Sequence, residues 1–148
     1  MRFLTLCLLL TLATPAVAME DYTPGEQALT LFYQGQVFAR DNNFAAAADA
    51  YLQALAREPK YEQARLSLAI LYGKHKKYKK ALQEIAYIQK QNPKNYLSYK
   101  VQGLILQDNK QNQAAAVAFE NYLKLAPAKQ VKDAQELMQR IEKLKKEG

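Results

Sequence analysis

Side chains able to do chemistry are few in these 148 residues. The single histidine, His75, lies in the run Gly73-Lys74-His75-Lys76-Lys77, with no cysteine and no carboxylate pair beside it, so neither a nucleophile relay nor a metal shell can be assembled around it in sequence. The single cysteine, Cys7, stands close to the N-terminus. There is no glycine-rich phosphate loop, no nucleophile elbow and no histidine pair spaced for zinc on one helical face. The ten tyrosines include Tyr51, Tyr72, Tyr99 and Tyr122, whose spacing is that of packing positions. No catalytic residue, cofactor or metal is expected, and the chemistry that remains is recognition.

Two residue sets are suited to recognition. Lys74, Lys76, Lys77, Lys79 and Lys80 form a dense basic cluster able to meet an anionic surface, where each lysine contributes on the order of 1 kcal/mol. The same lysines also serve as an ordinary solvated turn. The second set is apolar and emerges only once the elements that position it are drawn.

Those elements are helices. Gly and Pro number five each, Ala, Leu, Lys and Gln are abundant, and 49% of residues are apolar, which favours a packed all-helical chain over strands or disorder. Residues 1–18 differ from the rest: Arg2, an apolar run from Phe3 through Leu12, then Pro15 and the triplet Ala16-Val17-Ala18. This is the pattern of a secretory signal peptide cleaved before Met19, and the run is shorter than the roughly 20 residues a spanning helix needs. Cleavage would remove Cys7, so no disulfide or thiolate ligand is expected in the mature chain. It would also remove Arg2, lowering the formal charge of +7 by one. Outside the cytoplasm such a charge points to anionic lipid, cell-wall polymer or acidic protein rather than nucleic acid, with membrane contact at most peripheral.

An internal period organises the remainder. Pro59, Pro93 and Pro127 are evenly spaced, and the same register aligns Gly35, Ala69 and Gly103; Phe38, Tyr72 and Leu106; Ala47, Ala81 and Ala115; and Tyr51, Ile85 and Phe119. The small residues allow two antiparallel helices to cross closely, the large ones fill the space between pairs, and each proline ends a unit and can open the next as a first-turn residue. Predicted helices cover 24–40, 44–57, 61–74, 78–91, 95–108 and 112–125, the first opened by a capping box at Thr23-Pro24-Gly25-Glu26. A last helix from Lys129 to Lys146 carries Val131, Ala134, Leu137, Met138, Ile141 and Leu144 on one face, as the solvating cap of a stack should.

The pattern resembles the tetratricopeptide repeat family, whose unit carries a small residue at its eighth place, aromatics at the eleventh and twenty-fourth, Ala at the twentieth and Pro at the thirty-second. The resemblance implies an all-α, right-handed solenoid of three helix-turn-helix units, 28–61, 62–95 and 96–129, after a lead-in at 19–27 and before a capping helix at 130–148. Departures stand at Gln34 and Gln102, where the family prefers Leu, at Arg65, where it prefers a large apolar residue, and at Ile88 and Tyr122, where it prefers Ala. These imply altered packing in the second and third units.

In such a stack the first helix of each pair lines the concave face. The places between packing columns there are Phe32, Tyr33 and Gln36, then Leu66 and Ile70, then Lys100, Val101 and Leu104. Phe32, Leu66, Ile70, Val101 and Leu104 would form an apolar strip for an amphipathic helix or extended segment of another protein, or for a second copy closing groove on groove. They would equally serve as inner core. The family's clamp for acidic C-termini uses basic and amide residues here, and Lys100 is the sole basic match, so that activity is not carried over. The resemblance to exported bacterial proteins of this kind implies a periplasmic or secreted adaptor, not an enzyme. The basic cluster offers a different function, attachment to anionic lipid or cell-wall polymer.

Overall fold

A computed structural model describes residues 23–131 and 134–147. The expected signal at 1–18 and residues 19–22 of the lead-in lie outside the described residues. Those described form α1 (Glu26–Arg40), α2 (Phe44–Arg57), α3 (Glu62–Lys74), α4 (Tyr78–Gln91), α5 (Tyr96–Asp108), α6 (Asn112–Leu125), a 3-10 turn (Ala128–Gln130) and α7 (Ala134–Lys146), with no strand among them. No described helix is long and apolar enough to cross a membrane. Consecutive helices pack on one another, and α1 and α5 each also touch α3, which places the first helices of the three pairs side by side.

The turn inside each pair is the same structure three times. Asn42, Lys76 and Lys110 take φ of 57°, 56° and 61°, and the following N–H groups of Asn43, Lys77 and Gln111 donate to Phe38, Tyr72 and Leu106 at 2.8, 2.9 and 2.9 Å. Together with Lys76 N–H donating to the Gly73 carbonyl, this is a Schellman ending, which satisfies the last carbonyls of the first helix and reverses the chain. Asn43 caps α2 by accepting from Ala46 N–H at 3.2 Å, and Asn95 caps α5 by accepting from Ser98 N–H at 3.0 Å.

Three sequence expectations need correction at helix ends. The first helix begins at Glu26 with Gly25 as its cap and no side-chain bond, so Thr23 is not a capping residue and Pro24 stands outside the helix. Pro59 and Pro93 lie in the loops between pairs and open neither α3 nor α5. The terminal helix starts at Ala134, and Val131 sits in the break that the 3-10 turn makes after Pro127. Met138 faces outward at 58% exposure, while Ile141 and Leu144 are buried against Leu106, Ala115 and Phe119.

Small-residue columns do the work expected of them. A Cβ added at Gly35 would lie 2.6 Å from the Tyr51 ring, and one at Gly103 2.5 Å from the Phe119 ring, so each glycine makes room for the aromatic of its own pair. The second unit places Ala69 and Ile85 at the same positions, both fully buried, trading a methyl on one side for a smaller side chain on the other.

The departures resolve physically. Arg65 donates to Glu84 at 2.7 Å and to the Pro59 carbonyl at 3.0 Å while its guanidinium lies 3.7 Å from the Tyr87 ring centre. In the third unit Tyr99 occupies the equivalent place and donates to the Pro93 carbonyl at 3.1 Å. Ile88 and Tyr122 are buried like Ala54 at the same column of the first unit, so they fill space without disturbing it. Gln102 accepts from Gln89 at 2.9 Å across the boundary between units, whereas Gln34 is solvated.

Candidate functional site

The concave face is built by α1, α3 and α5, whose inward sides carry the small and large packing columns and whose remaining sides face the open groove. Its residues divide by burial in a way periodicity alone did not show. Phe32 is 7% exposed, with ring centres of Tyr61, Tyr33 and Tyr51 at 5.1, 5.5 and 6.0 Å, so it belongs to the core and not to a binding strip. The cause is Tyr61, the buried residue that caps α3, which is stacked against Phe32 from the loop after α2. Val101 is also buried and serves as floor rather than surface.

Ile70 and Leu104 stand at the rim, 38% and 44% exposed, over a hollow of about 300 Å³ between α3 and α5. Val101, Ile105 and Gly73 form its base, with Lys74 and Asp108 at its edge. Gly73 matters here because the nearest atom to an added Cβ would be Ile105 Cγ1 at 3.1 Å, so the close approach of the helices leaves the hollow apolar and shallow. Asp108 accepts a 2.5 Å hydrogen bond from the Tyr78 hydroxyl, which holds that phenol above its ordinary 10.0. Leu66 is half-buried on α3, one turn before Ile70, and Gln36 and Tyr33 are exposed on α1.

A second hollow of about 310 Å³ lies between α5, α6 and α7, lined by Lys100, Tyr122, Val131, Glu136, Leu137 and Arg140. The Lys100 ammonium sits 5.4 Å from the Tyr122 ring centre, and Arg140 donates to Gln107 and lies 5.2 Å from the Phe119 ring centre. The expected groove residues are thus split: Ile70, Val101 and Leu104 share one hollow, Lys100 belongs to another, and Tyr33 and Gln36 stand apart on α1. Sequence reasoning missed Arg140 and Glu136, because the spacing of apolar residues in the last helix signals only a cap. It also missed Val37, although its place one turn after Tyr33 signals a shared helical face.

The lysine cluster is divided too. Lys74 borders the groove hollow, while Lys77 and Lys80 lie 4.9 and 5.6 Å from the ring centres of Phe44 and Tyr72. His75 stacks on Phe44 with ring centres 4.4 Å apart, in the role of a turn residue packed on an aromatic. Lys76 and Lys79 are solvated. Among the described residues no group of three or more His, Cys, Asp or Glu is placed to hold a metal ion.

No protein-family model matches the chain, and no curated protein matches it either. Solved structures do. The first repeat domain of Spaghetti (RPAP3), bound to an HSP90 peptide, superposes with a TM-score of 0.70 at 19% identity over 81% of this chain and 91% of that one. The TPR2B domain of yeast Sti1, in complex with an Hsp70 partner, gives 0.73 at 16% identity over 84% of this chain and 100% of the other. The Sgt2 domain from Aspergillus fumigatus gives 0.70 at 20% identity, covering 84% and 80%. Likeness at these identities speaks to architecture, and with the threefold register of small residues, turns and prolines it establishes that this chain has the all-α tetratricopeptide repeat fold.

Proposed function

We propose that this protein is a non-enzymatic interaction scaffold of the bacterial envelope that holds a segment of another protein in its concave groove. The observation that carries the reading is the apolar hollow between α3 and α5, with Ile70 and Leu104 exposed at its rim. An amphipathic helix or extended segment could insert one large side chain there and lay its neighbours along the rim. Structures of the same fold hold peptides of HSP90 and HSP70, which supports peptide binding as the use of such a groove. The envelope setting rests on the leader-like residues Arg2, Phe3 through Leu12 and Ala16-Val17-Ala18.

The test uses the full chain, expressed with its own N-terminus, as bait in envelope extract beside an Ile70→Glu/Leu104→Glu variant. Both substituted residues are exposed, so the variant should keep its helicity, which circular dichroism checks. Phe32 is unsuitable for this purpose, since a charge there would break the core. Partner capture by the native chain that survives high salt and disappears in the variant is the expected result. Equal capture by both proteins would sink the groove reading. Capture lost at high salt and on replacing Lys76 and Lys79 would instead favour attachment through the basic cluster.

A further inference from the structure

The three units can be compared place by place on the side of the first helix that faces the preceding unit. In the third unit these places hold Val101, Ile105 and Leu106, all buried. In the second they hold Ser67, which is half-buried, and Leu71 and Tyr72, which are buried. In the first unit they hold Tyr33, Val37 and Phe38, at 55%, 44% and 37% exposure. The residues are the large apolar ones that a covered face requires, yet among the described residues nothing covers them. The opposite end of the stack is closed by α7, whereas among the described residues this end has no cap over its exposed apolar side chains, contrary to what a solenoid end needs for solubility.

We infer that this face is a homodimer interface in which α1 packs antiparallel against α1 of a second copy. The exposed side of α1 reads Glu26, Thr30, Tyr33, Val37 and Arg40, all exposed and spaced four, three, four, three, which is the seam of a coiled coil. The sequence of that seam is self-complementary. With the two-fold axis at Tyr33, Tyr33 meets its own copy, Thr30 meets Val37, and Glu26 meets Arg40 at both ends. The Thr30 hydroxyl already donates to the Glu26 carbonyl at 2.9 Å, so its methyl is free for the seam. Among the described residues Arg40 makes a loose 3.8 Å contact with Asp41, and its side chain is 77% exposed, leaving it available to a carboxylate across the interface. An isologous contact of this kind closes on itself and cannot grow into fibres.

This inference is independent of the groove, because Ile70 and Leu104 are not on the seam.

Sedimentation velocity of the full chain over a wide concentration range tests it. A reversible dimer is expected, and Tyr33→Glu/Val37→Glu should be monomeric with unchanged helicity. Arg40→Glu, which places two carboxylates together at each end, should raise the dimer dissociation constant about tenfold, and Glu26→Arg/Arg40→Glu should restore it to within about threefold. In a Cys7→Ser background, Tyr33→Cys should form a disulfide-linked dimer when a mild oxidant such as oxidised glutathione is added to take up the two electrons, since the axis brings that residue against its own copy. A chain that is monomeric throughout overturns the inference. So does a dimer that survives Tyr33→Glu/Val37→Glu, and one lost only with Ile70→Glu/Leu104→Glu would place the contact in the groove.

Discussion

Gly35 and Gly103 are the places where single atoms matter most. A methyl at either would press on a ring carbon at 2.6 or 2.5 Å, and neither Tyr51 nor Phe119 can retreat, since both are buried. Overpacking of this kind costs about 1–3 kcal/mol, against a helix-propensity gain of about 1 kcal/mol from replacing glycine. Gly35→Ala and Gly103→Ala are therefore expected to lose roughly 1 kcal/mol each in urea unfolding. Gly35→Ala/Tyr51→Ile, which copies the Ala69 and Ile85 pairing of the second unit, should recover most of that loss. These columns were legible because a small residue recurring in register marks a close crossing of two helices. Phe32 was not legible, because its place in the repeat is one that usually faces the groove. What buries it is Tyr61, a loop residue whose ring position no helical period can specify.

Helix boundaries show what local chemistry encodes at the next scale. The extents of α2, α4 and α6 follow directly from the alanine and aromatic columns together with the turn residues around them. The start of α1 did not, because Thr23 and Glu26 match a capping pattern that the chain leaves unused when Gly25 takes the cap. The turns carry a further consequence. Asn42 is well suited to its left-handed conformation, but Lys76 and Lys110 hold it with a Cβ that makes it unfavourable. Lys76→Gly and Lys110→Gly should each stabilise the fold by about 0.5–1 kcal/mol, because the Schellman bonds are kept and the steric cost is removed. The two turns are a full repeat apart, so the gains should add. Thermal unfolding of the single and double variants measures this, and a loss at either site would contradict the account of the turn.

At the scale of the whole molecule the stack is asymmetric. Its rear is closed by Ile141 and Leu144 of α7 over Leu106 and Phe119, and its front presents the outer side of α1 uncovered among the described residues. The repeat made both ends traceable in the sequence, yet it assigned Phe38, Tyr72 and Leu106 one role, since a column does not record which unit comes first. Packing separates them. Tyr72 has the ring of Phe44 at 6.2 Å, contributed by the second helix of the preceding unit, and Leu106 is buried in a cluster that takes in Leu82 of α4 as well as α6 and α7, whereas Phe38 has no preceding unit among the described residues. Truncating a buried leucine costs about 2–5 kcal/mol, and truncating a side chain that is more than a third exposed costs far less. At a concentration low enough for sedimentation to show the monomer, Leu106→Ala should lower stability by about 2–4 kcal/mol and Phe38→Ala by less than about 1 kcal/mol. Adding Val37→Ala at high protein concentration gives a second comparison: if the seam on α1 is covered by a second copy, the cost of Val37→Ala should rise with concentration, while that of Leu106→Ala should not. A Phe38→Ala cost as large as that of Leu106→Ala in the monomer would mean that the front of the stack is already covered within one chain, and the seam on α1 would then have no room for a partner.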